Sequence, residues 1–316
     1  MSAEEAPRGA DRTNWSVHAE RGSWWILRFL VAAIRKLGSA PLRPLVPVVA
    51  LYFVFFGGKA RRASRDYMER MRGLSADLPG PIFGQTYRHL RTFAFVILDR
   101  LELWSGAIGR FQIRLHGEQC MRELIEHKRG AMLVGAHLGS FDVLRLIARE
   151  YGIQVNVIMY TGNAELINRA FEELDPSASV RLIELDPHAF STALEIRKCV
   201  NRGEFVAMLG DRVHPSATGR RKVRLNFLGQ PADFAQGPFL MAAILGIPLI
   251  MSIALRRGFR EYDGYLTLIS EGGRVPRSKR QELVGRWSAE YVALLEGYCM
   301  RAPLQWFNFY DFWGRE

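Results

Sequence analysis

Cysteine is scarce in this chain of 316 residues: Cys120, Cys199 and Cys299 stand far apart and are odd in number. They form no CxxC pair and outline no disulfide framework. All three fall in stretches with helical apolar spacing, which predicts buried free thiols and a reducing compartment. No H-E-x-x-H or comparable ligand spacing occurs, and neither His137, Asp142 and His214 together nor any other set suggests a metal, so no metal or cofactor is expected. Met1 to Ser23 has no apolar core, so no cleavable signal peptide is expected. Low-complexity blocks and repeats are absent too, and ample core is expected for one large α/β domain or two small ones. Acidic residues are in deficit, 32 against 43 Lys+Arg, giving a net charge of +11 and a pI near 9.9. A basic excess of that size fits nucleic acid, an anionic membrane surface or an acidic partner. With no zinc-finger spacing or aromatic RNP-type strand, nucleic acid is the reading that loses support.

What is present begins with an apolar region, Trp24 to Phe56. Arg28, Arg35 and Lys36 break its first half; its second half, Leu45–Phe56, is uninterrupted. The clean run is shorter than the about 20 residues that a spanning helix needs. Pro41, Pro44 and Pro47 argue against one straight helix through both halves. Two readings stand: an interfacial helical hairpin with Trp24, Trp25 and Tyr52 at headgroup level, or a core helix packed on the domain. Arg61, Arg62, Arg65, Arg70 and Arg72 follow directly, and a polybasic patch beside an apolar anchor favours the membrane. The chain thus divides into a flexible N-terminus (1–23), an apolar and basic helical membrane-associating region (24–110), and an α/β domain (111–316).

From Phe111 on, strand-like and helix-like segments alternate. Phe111, Ile113 and Leu115 alternate with polar neighbours, as in a half-buried strand. Short apolar runs follow at Ala131–Ala136, Ile153–Met159, Val180–Leu185, Phe205–Leu209, Val223–Phe227, Ile247–Leu255 and Tyr265–Ile269. Between them lie helical periods at Phe141–Tyr151, Glu165–Leu174, Phe190–Arg202 and Gly237–Leu245, with a long final helix from about Lys279 to Met300. This predicts an α/β fold: a central mixed sheet flanked by helices, behind an N-terminal apolar helical membrane anchor. The aromatic tail Gln305–Trp313 is too apolar to hang free; it packs on the domain or dips into the membrane interface.

The residues that carry chemistry sit after the buried run Ala131–Ala136. Ligands of open α/β sheets bind beyond the carboxyl ends of strands, where His137 stands. Gly139 and Ser140 then turn the chain into a helix that opens with Phe141 and Asp142. Residues five apart do not share a helix face. Contact therefore requires His137 in the turn and Asp142 in the first helical turn. A carboxylate on one ring nitrogen fixes the tautomer and makes the other nitrogen a better base. Such an imidazole can take a proton from an acceptor hydroxyl as it attacks a thioester. A strand-end histidine that merely satisfies a turn fits the spacing equally well. Ser140 lacks the flanking glycines of a nucleophile elbow and reads as a helix cap.

The run Gly135-Ala-His-Leu-Gly-Ser-Phe-Asp142 resembles the H-x4-D/E motif of the lysophospholipid acyltransferase superfamily, in the branch of the lipid A lauroyl and myristoyl transferases. Phe205–Asp211 resembles that branch's strand ending in Asp, and Phe227-Leu-Gly229 its F-F-G. Gly237-Pro238, followed by Ile244-Leu-Gly-Ile-Pro248, resembles its G-P…G-x-P segment. The blocks keep their order over about Phe111 to Arg257. The resemblance implies His137 as general base, Asp142 as its orienting acid, Arg169 as support for the oxyanion and Asp211 as a further catalytic acid. Gly139, Ser140, Phe227 and Gly229 join Arg212, Arg220 and Arg221 as candidate substrate-binding residues. The dense charge of Arg212…Arg220-Arg221-Lys222…Arg224 reads either as a solvated loop or as a dock for an anionic headgroup or an acidic acyl carrier protein.

Some positions depart from the branch pattern. Ala136 replaces its Asn, Phe141 its Trp, Asp142 its Glu, Arg212 its Gln, and Tyr160-Thr161 its Arg-Pro. Trp15…Glu20-Arg21-Gly22 is similar to the opening of divergent relatives from aryl-polyene pathways. The expectation is a bacterial acyltransferase at the cytoplasmic face of the inner membrane, peripheral or monotopic. It would move a fatty acyl chain from an acyl carrier protein or acyl-CoA to a hydroxyl or amine of a lipid or glycolipid-like acceptor. A catalytically silent lipid-binding protein on the same fold, and a thioesterase or esterase using water, are the alternatives. Phe234, Phe239, Met241, Ile244 and Leu245 are candidates for an acyl slot, although the pattern suits core equally.

Overall fold

The computed structural model describes residues 32–74, 78–143, 151–159, 180–184, 190–213 and 222–314. Nine strands form among the described residues: β1 (Gln112–His116), β2 (Met132–Gly135), β3 (Val155–Met159), β4 (Val180–Glu184), β5 (Phe205–Leu209), β6 (Lys222–Phe227), β7 (Gln230–Ala235), β8 (Leu249–Gly258) and β9 (Glu261–Ser270). Seven make one sheet in the order β1-β9-β8-β2-β5-β3-β4, with β6 and β7 as a separate hairpin. Every neighbouring pair in the sheet is parallel except β8 and β9, so the sheet is mixed, as the alternation predicts. The seven apolar runs and the alternating segment from Phe111 to His116 account for eight of these strands. The ninth, β7, carries Pro231 and Asp233 and lacks an apolar run to announce it.

Central β2 is buried at every position, which is why its sequence reads as a continuous apolar run. Period two still sorts its side chains. Met132 and Val134 enter one core with Val206, Leu249 and Met251, while Ala131 and Leu133 enter another with Phe205, Ala207 and Ile250. Edge strand β1 keeps one face exposed and shows the alternation outright.

Seven α-helices of the described residues are α1 (Val46–Phe56), α2 (Gly58–Gly73), α3 (Ile82–Trp104), α4 (Gln119–Glu126), α5 (Phe190–Asn201), α6 (Gly237–Leu245) and α7 (Arg280–Arg301). The first core takes α5, α6, α7, the β6–β7 hairpin, the tail, and Tyr67, Met68 and Met71 of α2. The second takes Met121 and Leu124 of α4 and Leu103 at the end of α3. Phe234 and Phe239, offered as slot residues, are fully buried in the first core and are packing residues; Ile244 is exposed on α6. Cys199 and Cys299 are buried free thiols, but Cys120 is only half-buried, at the start of α4 and at the margin of the second core.

The three prolines do break the apolar region. Ala40–Leu45 is a 3-10 turn containing Pro41 and Pro44, and α1 starts after it with Pro47 in its first turn. Helix α1 buries only the stripe Val46, Ala50 and Val54. Val48, Tyr52, Phe55 and Phe56 are 65, 57, 56 and 71% exposed. An anchor that crosses a membrane is not established: among the described residues no single helix is long and apolar enough, and the only pair that passes by length and composition, Ala40–Phe56 with Gly58–Gly73, bends by 96°.

Helix α3 fastens this helical layer to the sheet through two fully buried carboxylates. Asp99 meets Arg43 Nη1 at 3.1 Å, Arg256 Nε at 2.7 Å and the Tyr262 hydroxyl at 2.9 Å. Glu102 meets the Ser39 hydroxyl, Arg110 Nη1 at 3.3 Å and Arg260 Nη2 at 2.5 Å. Removing one member of a buried ion pair leaves the other charge uncompensated. Asp99→Ala is therefore expected to lower unfolding free energy by about 3 kcal/mol, read from denaturant midpoints.

Candidate active site

Strand β2 delivers the chain to His137 beneath the carboxyl end of the sheet. Tyr291 of α7 donates its hydroxyl to the Gly135 carbonyl at 2.8 Å and so pins the strand's last residue. The turn that follows is held on both sides. Gly139 N–H donates to Gln305 O at 2.9 Å, Phe307 N–H to His137 O at 2.7 Å, and Ser140 N–H to Ala254 O at 2.8 Å. The aromatic tail thus runs alongside the motif and packs on the domain, with Trp306 fully buried. Gly139 has φ +66, and a Cβ there would lie 1.9 Å from the Ala254 carbonyl oxygen, so only glycine fits. Its place in the motif is explained by packing of the turn.

His137 lies in the turn and Asp142 in the first turn of the next helix, as the spacing requires. The expected bond between them is not what forms. His137 Nδ1 pairs with Asp211 Oδ1 at 2.8 Å, across from the end of β5, and the His137 backbone N–H also donates to Asp211 Oδ2 at 2.9 Å. The carboxylate of Asp142 is engaged by α3 instead: Arg100 Nε lies 2.5 Å from Oδ2, and Trp104 Nε1 donates to Oδ1 at 3.0 Å. The physical reason is adjacency in the parallel sheet. Strands β2 and β5 are neighbours in register, Gly135 opposite Leu209, so the residues just past their ends meet.

Asp211 is fully buried and accepts four N–H groups, the other two coming from Trp306 Nε1 at 3.1 Å and Asn308 Nδ2 at 2.9 Å. Burial alone would raise its carboxyl, but the His137 ring, the bonds from it and Arg212 outweigh that and hold the group at about 2. His137 is shifted the other way. Burial, then Arg212, lowers its pKa, with Arg100 adding to the effect and Asp211 opposing it. Neutral imidazole is therefore the resting form at pH 7. Asp211 fixes its proton on Nδ1, leaving the Nε2 lone pair in a ring that keeps 26% of its surface open.

Arg212 donates from Nε to Asn308 Oδ1 at 2.6 Å and from Nη2 to Phe307 O at 3.1 Å, which makes it a partner of the tail. The tail is seated from behind by His89. Its Nε2 donates to Trp306 O at 2.9 Å and its Nδ1 accepts from Ser64 Oγ at 2.9 Å, and burial lowers its pKa to about 4. Ser140 Oγ is buried without a hydrogen-bond partner, so the capping role is not realised. Phe227 is buried in an aromatic cluster with Phe234, Trp306 and Phe312, and Gly229 turns the β6–β7 hairpin at φ +77. Neither meets His137. Arg169, Arg220, Arg221, His188 and His214 lie outside the described residues.

The residues that sequence reasoning missed are Arg100, Trp104, Trp306 and Asn308. Arg100 and Trp104 are one helical turn apart on α3, where nothing marks them; Asn308 is the single amide between Trp306 and Trp313, which is a readable signal. No group of three or more metal-ligating side chains occurs among the described residues.

The model of the family described as bacterial lipid A biosynthesis acyltransferase matches residues 12–313. The chain belongs to that family. Acyl transfer in general is thus its activity. Among solved structures, a match is the 1-acyl-sn-glycerophosphate (LPA) acyltransferase PlsC from Thermotoga maritima. It is 14% identical, covers 83% of this chain and 98% of its own, and superposes with a TM-score of 0.35, too distant to bear on the site. No curated protein matches the sequence.

Proposed function

We propose that this family member transfers a fatty acyl group from an acyl thioester to a hydroxyl or amine of a lipid-like acceptor, with His137 as general base and Asp211 as its orienting acid. One observation carries the reading: an imidazole whose Nδ1 is held by a buried carboxylate and whose outward nitrogen has no partner among the described residues. His137 Nε2 takes the proton from the acceptor as its oxygen or nitrogen attacks the thioester carbonyl. The tetrahedral oxyanion collapses, the C–S bond breaks, and the leaving thiolate takes the proton back from the imidazolium. Asp142, tied to Arg100 and Trp104, keeps Arg100 beside the ring. The cations Arg100 and Arg212 both lower the pKa of His137 and both suit a site where negative charge develops. Arg169 retains the oxyanion role that the family pattern implies.

The acceptor reading draws on α1. Its outward face exposes Val48, Tyr52, Phe55 and Phe56, and the exposed basic residues Lys59, Arg61 and Arg62 follow it. That pairing suits the surface of an anionic bilayer, at the cytoplasmic face where free thiols such as those of this chain stay reduced. The donor is an acyl carrier protein or acyl-CoA, and the basic run Arg220, Arg221, Lys222 and Arg224 suits either anion. The test supplies purified protein with labelled acyl-carrier-protein or CoA thioester, with and without total membrane lipid. Label entering a lipid only when lipid is supplied supports transfer. Fatty acid released at the same rate without it overturns transfer in favour of hydrolysis.

A further inference from the structure

We propose that Asn308 of the C-terminal tail is a positioning residue for the His137–Asp211 pair, and that it works by keeping Arg212 off Asp211. The inference rests on the reading of His137 as base. Asp211 and Arg212 are consecutive, both lie in the interior beside the ring, and opposite charges so placed attract strongly in a medium of low dielectric. In the structure an amide stands between them. Asn308 Nδ2 donates to Asp211 Oδ2 at 2.9 Å, and Asn308 Oδ1 accepts from Arg212 Nε at 2.6 Å. A carboxylate only accepts and a guanidinium only donates, so the two neighbours fix the orientation of the amide between them. Arg212 Nη2 is drawn the same way, to the Phe307 carbonyl at 3.1 Å.

The consequence falls on His137. While the amide separates the charges, Asp211 Oδ1 is left for Nδ1 and the carboxylate keeps its full effect on the ring. Without it, Arg212 would turn to the nearest acceptor of high charge, which is Asp211. The ion pair so formed would compete with the ring for the carboxylate and cancel the negative charge that raises the basicity of His137. The tail is anchored for this task. Trp306 donates to Asp211 from the same segment, and His89 of α3 holds the Trp306 carbonyl at 2.9 Å. Asn308 itself is buried, so the bridge is shielded from water that would otherwise screen it.

The charges that face the ring are Asp211 and Arg212 past β5 and Arg100 from α3. Tyr291 and Cys299 of α7 and Tyr310 of the tail face Asp211, and burial pushes all three upward, so they stay neutral across the working range. In this set the histidine is then the group whose charge changes on the acid side, with its pKa lowered by burial and by Arg212. The acid limb of kcat/KM against pH reports it, since the base acts only when neutral. Cancelling Asp211 makes the ring less basic and moves that limb to lower pH.

The test compares wild type, Asn308→Leu, Asn308→Leu with Arg212→Met, and His137→Ala, using acyl-carrier-protein thioester and membrane lipid. Asn308→Leu is expected to lower kcat by up to about 100-fold, the loss that accompanies a misplaced base. KM should change little, and the acid limb should move to lower pH. Adding Arg212→Met should move the limb back upward, because the competing cation is gone. Should Asn308→Leu fail to fold, Asn308→Ser keeps a small polar group too short to span both charges, and the same displacement is expected. An unmoved limb in a folded Asn308 variant, or no upward return on removal of Arg212, overturns the assignment. If His137→Ala retains transfer, the base reading itself falls; if it is inactive while the Asn308 variants keep the wild-type limb, only the tail's role does.

Discussion

His137→Ala is expected to reduce acyl transfer on the order of 10³–10⁴-fold while leaving the fold and binding to anionic vesicles intact. The loss follows from the ring's position. An acceptor hydroxyl is a poor nucleophile at neutral pH, and no other neutral base with an open lone pair lies at the end of β2 among the described residues. Folding should be unaffected, because the contacts that hold the turn are made by its backbone: His137 O with Phe307 N–H, Gly139 N–H with Gln305 O, Ser140 N–H with Ala254 O. The His137 backbone N–H still donates to Asp211. The measurement is label transfer from acyl thioester to membrane lipid, with vesicle co-sedimentation as the control for α1. Transfer within a few-fold of wild type would end the case for His137 as base. The silent lipid-binding alternative would then have to be taken up, since family membership alone does not make every member active.

The position of His137 was legible in the sequence because its signals are local. A fully apolar run, a histidine at its end and a Gly-Ser turn lie within ten consecutive residues, and the sheet builds them as read. Its partner was not legible, because the bond that matters joins residues 74 apart and is set by which strands are neighbours. Spacing along the chain nominated Asp142, the near carboxylate, and the strand-end Asp211 stood out only as a block in a family pattern. Strand order decides between them, and nothing in the residues of β2 or β5 announces that those two strands lie side by side. The same limit hid Arg100 and Trp104, which reach Asp142 from a helix placed by tertiary packing. Helix α1 shows a second kind of limit. It is apolar on every side, so its pattern could not say which stripe would be buried, and only the packing of Val46, Ala50 and Val54 leaves its aromatic side exposed.

Asp211→Asn should be nearly as damaging as loss of the histidine, at on the order of 10²–10⁴-fold in kcat, and raising the pH should not recover it. The geometry forces this outcome. Three N–H groups converge on Asp211 Oδ2, from the His137 backbone, Trp306 and Asn308, while Oδ1 faces His137 Nδ1 alone. An asparagine must turn its single carbonyl oxygen toward the three donors, since an NH₂ there would meet N–H groups head-on. Its NH₂ then points at Nδ1 and donates to it. The ring answers by carrying its proton on Nε2, and the nitrogen that should accept the acceptor's proton already holds one. Titration cannot restore it, because the ring is neutral in both tautomers and only the position of the proton has changed. Stability should suffer less than with Asp211→Leu, which would leave all three donors buried and unmet. The experiment pairs kcat against pH with the nitrogen-15 shifts of the His137 ring. Protonation should move from Nδ1 to Nε2 in the variant, and a variant that keeps the Nδ1–H form with wild-type kcat would show that Asp211 is not what orients the base.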